Sequence, residues 1–231
     1  MERITAIDDA VPAHVIGALR GQIINFQARR SRPGDGGTYW YRLDAPPRLL
    51  FEQVIQHLRS FVPRGDEFVG AEWWLRATTT DTGFPFHFDR DEGIRGSIVS
   101  PDLASILYLS SAGGPTVIID ATPARIAAPR AGIAVSPRPG RFAMFPGALL
   151  HGVLPAPPGR WPRVTMLVNW WRSVPRMECA PQLDGTPAST RWRVNLGRAK
   201  APAAPLESID PARLLAKAAW RDLISKQATY R

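Results

Sequence analysis

The sequence has 231 residues, of which 45% are apolar and 21% charged, which excludes a disordered or fibrous chain and suits one large globular domain or two small ones. The formal net charge of +9 fits anionic ligands, from a small dicarboxylate to a nucleic acid, but no run of consecutive basic residues chooses among them. No window approaches the roughly 18 apolar residues of a membrane span, and an acidic N-terminus replaces an export segment, so we expect a cytoplasmic protein without membrane association.

The first 66 residues are predicted to form a helical support. Apolar residues recur at helical spacing over 13–26 and again over 49–62, which predicts two amphipathic helices. A turn-rich stretch at 31–37 separates them.

From residue 67 to residue 175 the pattern changes to short apolar or alternating segments separated by glycine and proline. No helix-length segment lies between them, which disfavours a parallel sheet with crossover helices and favours an antiparallel sandwich or jelly roll. The predicted strands are 68–77, 104–109, 116–120, 132–135, 141–145, 151–154 and 163–171.

The remainder, 176–231, is predicted to be an extension that ends in a helix. Asp210 can cap this helix, and Pro211 fits its first turn. The sequence is therefore interpreted as a single domain over 1–231, mainly β, with N-terminal supporting helices and a C-terminal helical extension.

A metal, if present, must be held by histidine and carboxylate, because Cys179 is the only cysteine. Of the four histidines, His14 and His57 lie on the predicted helices and are interpreted as structural or surface residues. His87 and His151 lie in the strand-rich region and remain as candidates.

His87 and Asp89 form a His-X-Asp pair. On an extended strand, residues i and i+2 point to the same face, so the imidazole and the carboxylate can converge on one cation. The pair alone is a weak signal. His151, on a later predicted strand, could complete a site of two histidines and one carboxylate, the set associated with non-heme Fe(II), whereas zinc is less favoured.

Arg163 opens the last predicted strand, with Thr165 on the same face. A guanidinium can bind a carboxylate through two parallel hydrogen bonds, and a nearby hydroxyl can add a third. A metal beside a buried arginine predicts a dicarboxylate held at both ends. Arg160, in the preceding turn, is the weaker rival for this role.

The order His87-Phe-Asp89, His151, Arg163-Val-Thr165 resembles the Fe(II)- and 2-oxoglutarate-dependent oxygenase superfamily, and flanking segments are similar to those of its prolyl-hydroxylase-like members. The likeness covers residues 67–172, under half of the chain. It implies a double-stranded β-helix, which is a form of jelly roll.

That resemblance also implies the ligands. Fe(II) would be held by His87, Asp89 and His151, and 2-oxoglutarate would chelate it while its far carboxylate meets Arg163 and Thr165. Oxygen would be the co-substrate, and succinate, CO2 and a hydroxylated product would result. Tyr108 and Asn169 are further candidates for contact with 2-oxoglutarate.

The predicted substrate is an amino-acid-like metabolite, a peptide or a protein side chain. Asp89 argues against halogenation, because the halogenating members have a small residue in its place. Nucleic-acid repair is disfavoured, because Asn169 stands where repair members have a second arginine. That reaction remains an alternative, as does a non-catalytic jelly-roll protein that binds a metal or ligand, and the oligomeric state is left open.

Several neighbouring residues have two interpretations. Asp91 and Glu92 are expected to be solvated loop acids; if they faced the opening instead, they would favour a cationic substrate. Core packing is the favoured role for the tryptophans near the site, and lining of the pocket is the alternative. The residues concerned are Trp73, Trp74 and Arg76, before the metal loop, and Trp170 and Trp171, at the end of the Arg163 strand.

Overall fold

Two antiparallel β-sheets face each other in the computed structural model of the chain. The structure describes residues 4–28, 38–78, 83–125, 131–178, 196 and 201–215. The strands are β1 (Thr5–Ile7), β2 (Tyr39–Arg42), β3 (Gly70–Thr78), β4 (Phe84–His87), β5 (Leu103–Tyr108), β6 (Thr116–Ile119), β7 (Gly132–Val135), β8 (Phe142–Pro146), β9 (Leu150–Val153), β10 (Arg163–Trp171) and β11 (Glu207–Ile209). The helices are α1 (Ala13–Ala28), α2 (Leu50–Arg59) and α3 (Pro211–Leu215).

The strand order is that of a rolled sheet. The larger sheet has the order β1-β8-β5-β10-β3-β2, and the smaller one has the order β11-β7-β6-β9-β4. Strands that follow each other in the chain, such as β5 and β6, lie in different sheets, so the chain winds around a shared interior. The predicted double-stranded β-helix is confirmed, and each of the seven predicted strands is present.

The larger sheet buries both of its faces. Its outer face packs against α1 and α2, where the ring of Trp73 lies 4.8 Å from that of Tyr39 and 5.2 Å from that of Phe51. Both predicted N-terminal helices are therefore confirmed as a support. The strands β1 and β2, which lie in the region predicted to contain only helices and loops, extend the sheet at its two edges.

The inner face of the larger sheet packs on the smaller sheet through Ile106, Tyr108 and Phe145. On the outer face of the smaller sheet, Leu214 of α3 covers an apolar cluster. Asp210 caps this helix as predicted, since its Oδ1 accepts a hydrogen bond of 2.9 Å from the amide of Ala212.

The rest of the predicted C-terminal helix, and Cys179, lie outside the described residues. No helix in the described part of the chain is both long and apolar enough to cross a bilayer.

Candidate metal centre and dicarboxylate pocket

Two neighbouring strands of the smaller sheet bring the candidate histidines together. His87 ends β4 and His151 lies in β9, and the two residues are directly opposed in the antiparallel ladder. Asp89 follows β4, with Oδ1 3.4 Å from His87 Nε2 and Oδ2 3.7 Å from His151 Nε2. One ligand atom from each residue lies within 4.8 Å of the others, a separation that one cation can bridge.

Each histidine is oriented by its other ring nitrogen. Nδ1 of His87 lies 2.9 Å from the carbonyl oxygen of Pro85, and Nδ1 of His151 lies 2.9 Å from that of Leu149. Because a carbonyl oxygen only accepts, both Nδ1 atoms must carry a proton and donate it. The lone pair of each Nε2, on the side of Asp89, is therefore available to a metal.

Burial and charge set the protonation of two of the three ligands. Burial raises the pKa of Asp89, but His151, His87 and a hydrogen bond from Asn169 outweigh it and hold that pKa at about 2. Burial lowers the pKa of His151 to about 4, against the opposing influence of Asp89. At neutral pH the carboxylate is therefore ionised and the imidazole neutral, the forms that bind a metal.

The donor set fits a divalent metal of the first transition row. Two imidazole nitrogens and one carboxylate leave the remaining coordination positions to small ligands, the arrangement typical of non-heme Fe(II). His14 is exposed, and His57 bonds through Nε2 to the carbonyl oxygen of Ala10 at 2.9 Å. Neither residue belongs to the cluster.

Arg163, at the start of β10, is buried in the same cavity as the two histidines. Its Nη2 donates a hydrogen bond of 2.8 Å to Oγ1 of Thr116, on β6 of the facing sheet. Nε and Nη1 are buried, and neither has a partner among the described residues. A buried guanidinium with unpaired donors is costly, so this end of the cavity fits a carboxylate that would accept from it.

The residues around Arg163 form a small polar group. The Tyr108 hydroxyl lies 2.8 Å from Oγ1 of Thr116, and the Arg163 guanidinium lies over the Tyr108 ring. Thr165 follows on the same face of β10 and also lines the cavity. Arg160, the sequence-based rival of Arg163, is exposed.

Asn169 lies further along the same face of β10. Its Nδ2 donates a hydrogen bond of 3.4 Å to Oε2 of Glu72 on β3, and its amide also bonds to Asp89. Asn169 is thus placed beside the metal ligands, at a distance of six residues from Arg163 along the strand. Its contact with 2-oxoglutarate stays a prediction.

Glu72 is a buried carboxyl group that the sequence analysis missed. Burial, and to a lesser degree the charge of Asp89, raise its pKa to about 7. The only signal in the sequence is that Glu72 lies two residues before Trp74 on a predicted strand. This spacing places both side chains on one face of the strand but does not show whether that face is buried or exposed.

Asp91 and Glu92, the two acids that follow Asp89 in the chain, differ in their burial. Asp91 is buried, contrary to the expectation of a solvated acid, because its Oδ1 accepts from the amide of Gly93 at 3.0 Å and its Oδ2 from that of Arg176 at 2.6 Å. Glu92 is exposed, as expected, and pairs with Arg90 at 2.9 Å. Both acids are therefore engaged with the protein itself.

The tryptophans divide by strand alternation. Trp73 and Trp170 pack in the core beneath α1 and α2, as the favoured interpretation predicts, and Trp171 is buried. Trp74 and Arg76 point to the other face of β3 and line the cavity. Core packing is therefore the wrong interpretation for Trp74.

Comparison with solved structures identifies the fold. The chain is similar to a prolyl-4-hydroxylase from Pseudomonas putida, at 17% identity and a TM-score of 0.54, over 75% of this chain and 95% of that one. It is also similar to AviO1 from Streptomyces viridochromogenes, at 17% identity and a TM-score of 0.50, over 78% and 93% of the two chains. No family model and no curated protein matches the sequence. The fold is that of prolyl-4-hydroxylase, as the resemblance implied.

Proposed function

We propose that the protein is an Fe(II)- and 2-oxoglutarate-dependent oxygenase that hydroxylates an unactivated C–H bond. The substrate would be an amino-acid-like metabolite, a peptide or a protein side chain. The observation that carries the proposal is a cluster of three metal-ligand side chains, two of which, His87 and His151, line one cavity with a buried arginine. The Nε and Nη1 atoms of this arginine lack partners among the described residues.

Three side chains would hold the metal. His87 and His151 would bind through Nε2, since their Nδ1 atoms donate to backbone carbonyl oxygens, and Asp89 would supply one carboxylate oxygen. Asn169 orients Asp89 by a hydrogen bond. With one negative charge from the ligands, the centre suits a divalent cation and leaves room for a bidentate cosubstrate.

Arg163 would bind the far carboxylate of 2-oxoglutarate. Two parallel hydrogen bonds to one carboxylate come from Nη2 together with either Nε or Nη1. Nη2 keeps a second N–H after its bond to Thr116, and Nε and Nη1 have no partner among the described residues. Thr165 would add a hydroxyl from the same strand. The buried setting excludes water, which strengthens the ion pair.

When bound, iron and 2-oxoglutarate supply the activation of oxygen, with one oxygen atom going to succinate as CO2 is lost and the other into a substrate C–H bond. The protein's part is to bind both in fixed orientation and to keep the ligating groups deprotonated at their metal-facing atoms.

The first experiment is 2-oxoglutarate turnover by protein loaded with Fe(II) without oxygen and then exposed to air. Wild-type protein should bind one Fe(II) per chain and form succinate. His87→Ala should lose both, with a fall in metal affinity larger than the roughly 10- to 100-fold that loss of an outer partner causes. His14→Ala, an exposed histidine outside the cluster, is the matched control and should behave as wild type.

Wild-type levels of metal binding and succinate in His87→Ala would contradict the metal assignment. Metal binding without succinate formation in the wild-type protein would favour the alternative of a non-catalytic jelly-roll binding protein.

A further inference from the structure

A second arginine shares the cavity with Arg163. Arg76 lies on β3, directly opposite Thr165 of β10, and both Arg76 and Arg163 line the same cavity. In the described part of the chain, no carboxylate lies within ion-pair distance of either guanidinium. The cavity therefore offers two positive charges to whatever binds there.

Arg76 is held in place without using its hydrogen-bond donors. Its guanidinium carbon lies 3.8 Å from the centre of the Phe84 ring, which fixes the group by a cation–π contact. Among the described residues it has no hydrogen-bond partner of its own. A guanidinium stacked on a ring keeps its N–H edge free, so a ligand can meet it in the plane of the group.

The charges of the proposed function leave Arg76 unmatched. Asp89 and the two carboxylates of 2-oxoglutarate together balance a divalent metal and Arg163. One positive charge remains at Arg76, in a half-buried position where an unpaired charge is unfavourable. The substrate is the molecule left to supply the opposite charge.

Asp91 and Glu92 do not compete for Arg76. Asp91 accepts from two backbone amides, and Glu92 pairs with Arg90. These two acids therefore do not form a pocket for a cationic substrate. The charge in the cavity that lacks a partner among the described residues and 2-oxoglutarate is the positive charge of Arg76.

We infer that Arg76 binds a carboxylate of the primary substrate, so that the substrate is an acidic, amino-acid-like molecule. This inference rests on the proposed function. Trp74, two residues earlier on the same face, offers an apolar surface for the carbon skeleton beside that carboxylate. The carboxylate can be the α-carboxylate of a free amino acid or the side-chain carboxylate of Asp or Glu in a peptide.

The test uses three sets of probes on Mn(II)-loaded protein saturated with 2-oxoglutarate in the absence of oxygen. The sets are free L-amino acids, the corresponding amino-acid amides, and N-acetylated aspartate and glutamate amides, which keep only the side-chain carboxylate. Binding is measured as the shift of the thermal unfolding midpoint, and stimulation as succinate formation by the iron-loaded protein in air.

At least one acidic probe should bind to the wild-type protein and stimulate it, whereas its neutral counterpart should do neither. The set to which it belongs distinguishes an α-carboxylate from a side-chain carboxylate. Arg76→Gln should weaken binding of that probe about tenfold or more, and this loss should exceed any change in the KM for 2-oxoglutarate by at least tenfold. Arg76→Lys should recover part of the affinity, and Arg160→Gln, at an exposed arginine, is the matched control.

Three results would overturn the inference. They are equal binding of acids and their amides, binding of no acidic probe to the wild-type protein, or a rise in the KM for 2-oxoglutarate in Arg76→Gln as large as the loss for the probe. The last result would place Arg76 in the cosubstrate site. Succinate formation by wild-type protein before any probe is added tests the proposed function separately, and the binding measurement does not depend on turnover.

Discussion

Arg163 Nη2 and Thr116 Oγ1 are 2.8 Å apart, and this hydrogen bond joins strand β10 of the larger sheet to strand β6 of the smaller one across the cavity. The contact uses one guanidinium nitrogen and leaves the other two without partners among the described residues. It holds the group that would receive the cosubstrate.

Replacement of Arg163 by Gln should raise the KM for 2-oxoglutarate roughly 10- to 100-fold. The variant loses charge-assisted hydrogen bonds worth about 1.5 to 3 kcal/mol to the far carboxylate. Steady-state succinate formation measures the change. Arg160→Gln, which alters the exposed rival, should stay within about twofold of wild type, and an equal loss in the two variants would contradict the assignment of Arg163.

Gly113→Ala should weaken 2-oxoglutarate binding without removing any charge. Gly113 has φ of +87°, and an added Cβ would lie 2.8 Å from Cδ of Arg163, so the arginine side chain must shift. Gly96→Ala is the control, because Gly96 has φ of +81° and nothing within 4 Å of the added atom.

Both glycine variants should lose about 1 kcal/mol of stability from the left-handed backbone. Only Gly113→Ala should show a smaller increase in the thermal unfolding midpoint on addition of 2-oxoglutarate. The same increase in both variants would show that the position of Arg163 does not limit binding.

Glu72→Gln should stabilise the metal-free protein at neutral and higher pH. The carboxyl of Glu72 ionises near 4.5 in the unfolded chain and at about 7 in the folded protein. Between these values the folded protein holds more protons, so its stability falls as pH rises from 4.5 to about 7, and the loss persists above that range. Glutamine cannot ionise and removes this loss.

We expect a gain on the order of 2 kcal/mol for Glu72→Gln at about pH 8 and little gain at about pH 4.5, measured by urea unfolding. Glu92→Gln, at an exposed acid, is the matched control and should change little at either pH. A gain of equal size at both pH values would contradict the assignment to ionisation of Glu72.

Asp91→Ala should destabilise the protein by about 2 to 4 kcal/mol, because it removes a buried carboxylate that accepts hydrogen bonds from the amides of Gly93 and Arg176. Glu92→Ala removes a neighbouring exposed acid and should cost less than about 0.5 kcal/mol. Chemical unfolding of the two variants measures the difference. Similar small effects in both would restore the interpretation of Asp91 as a solvated acid.

The metal cluster could be predicted from sequence because its geometry is local or repetitive. His87 and Asp89 share a face by strand alternation, and His151 lies on a strand whose apolar pattern is visible. The seven predicted strands could be recognised in the sequence for the same reason. The strands that were not predicted, β1, β2, β4 and β11, are the edge strands of the two sheets, and they form because one neighbouring strand offers each of them backbone partners.

The burial of Glu72 and Asp91 could not be predicted, because their partners are distant in sequence. Glu72 is covered by Asn169, 97 residues away, and Asp91 is bonded to the amide of Arg176, 85 residues away. The role of Trp74 likewise depends on which face of β3 meets the smaller sheet. Alternation separates the two faces of a strand but does not say which one faces a cavity.

Because His87 and His151 are opposed on adjacent strands, an ion bound between them would also link strand β4 to strand β9. Strand β4 is the edge of the smaller sheet, pairs only with β9 there, and has an irregular register between Phe84 and His87. A bond through the ion would replace ladder hydrogen bonds that this edge lacks. Loading of the centre and ordering of the edge strand would then be a single event, so that the strand presents its ligands firmly only after it has received the metal.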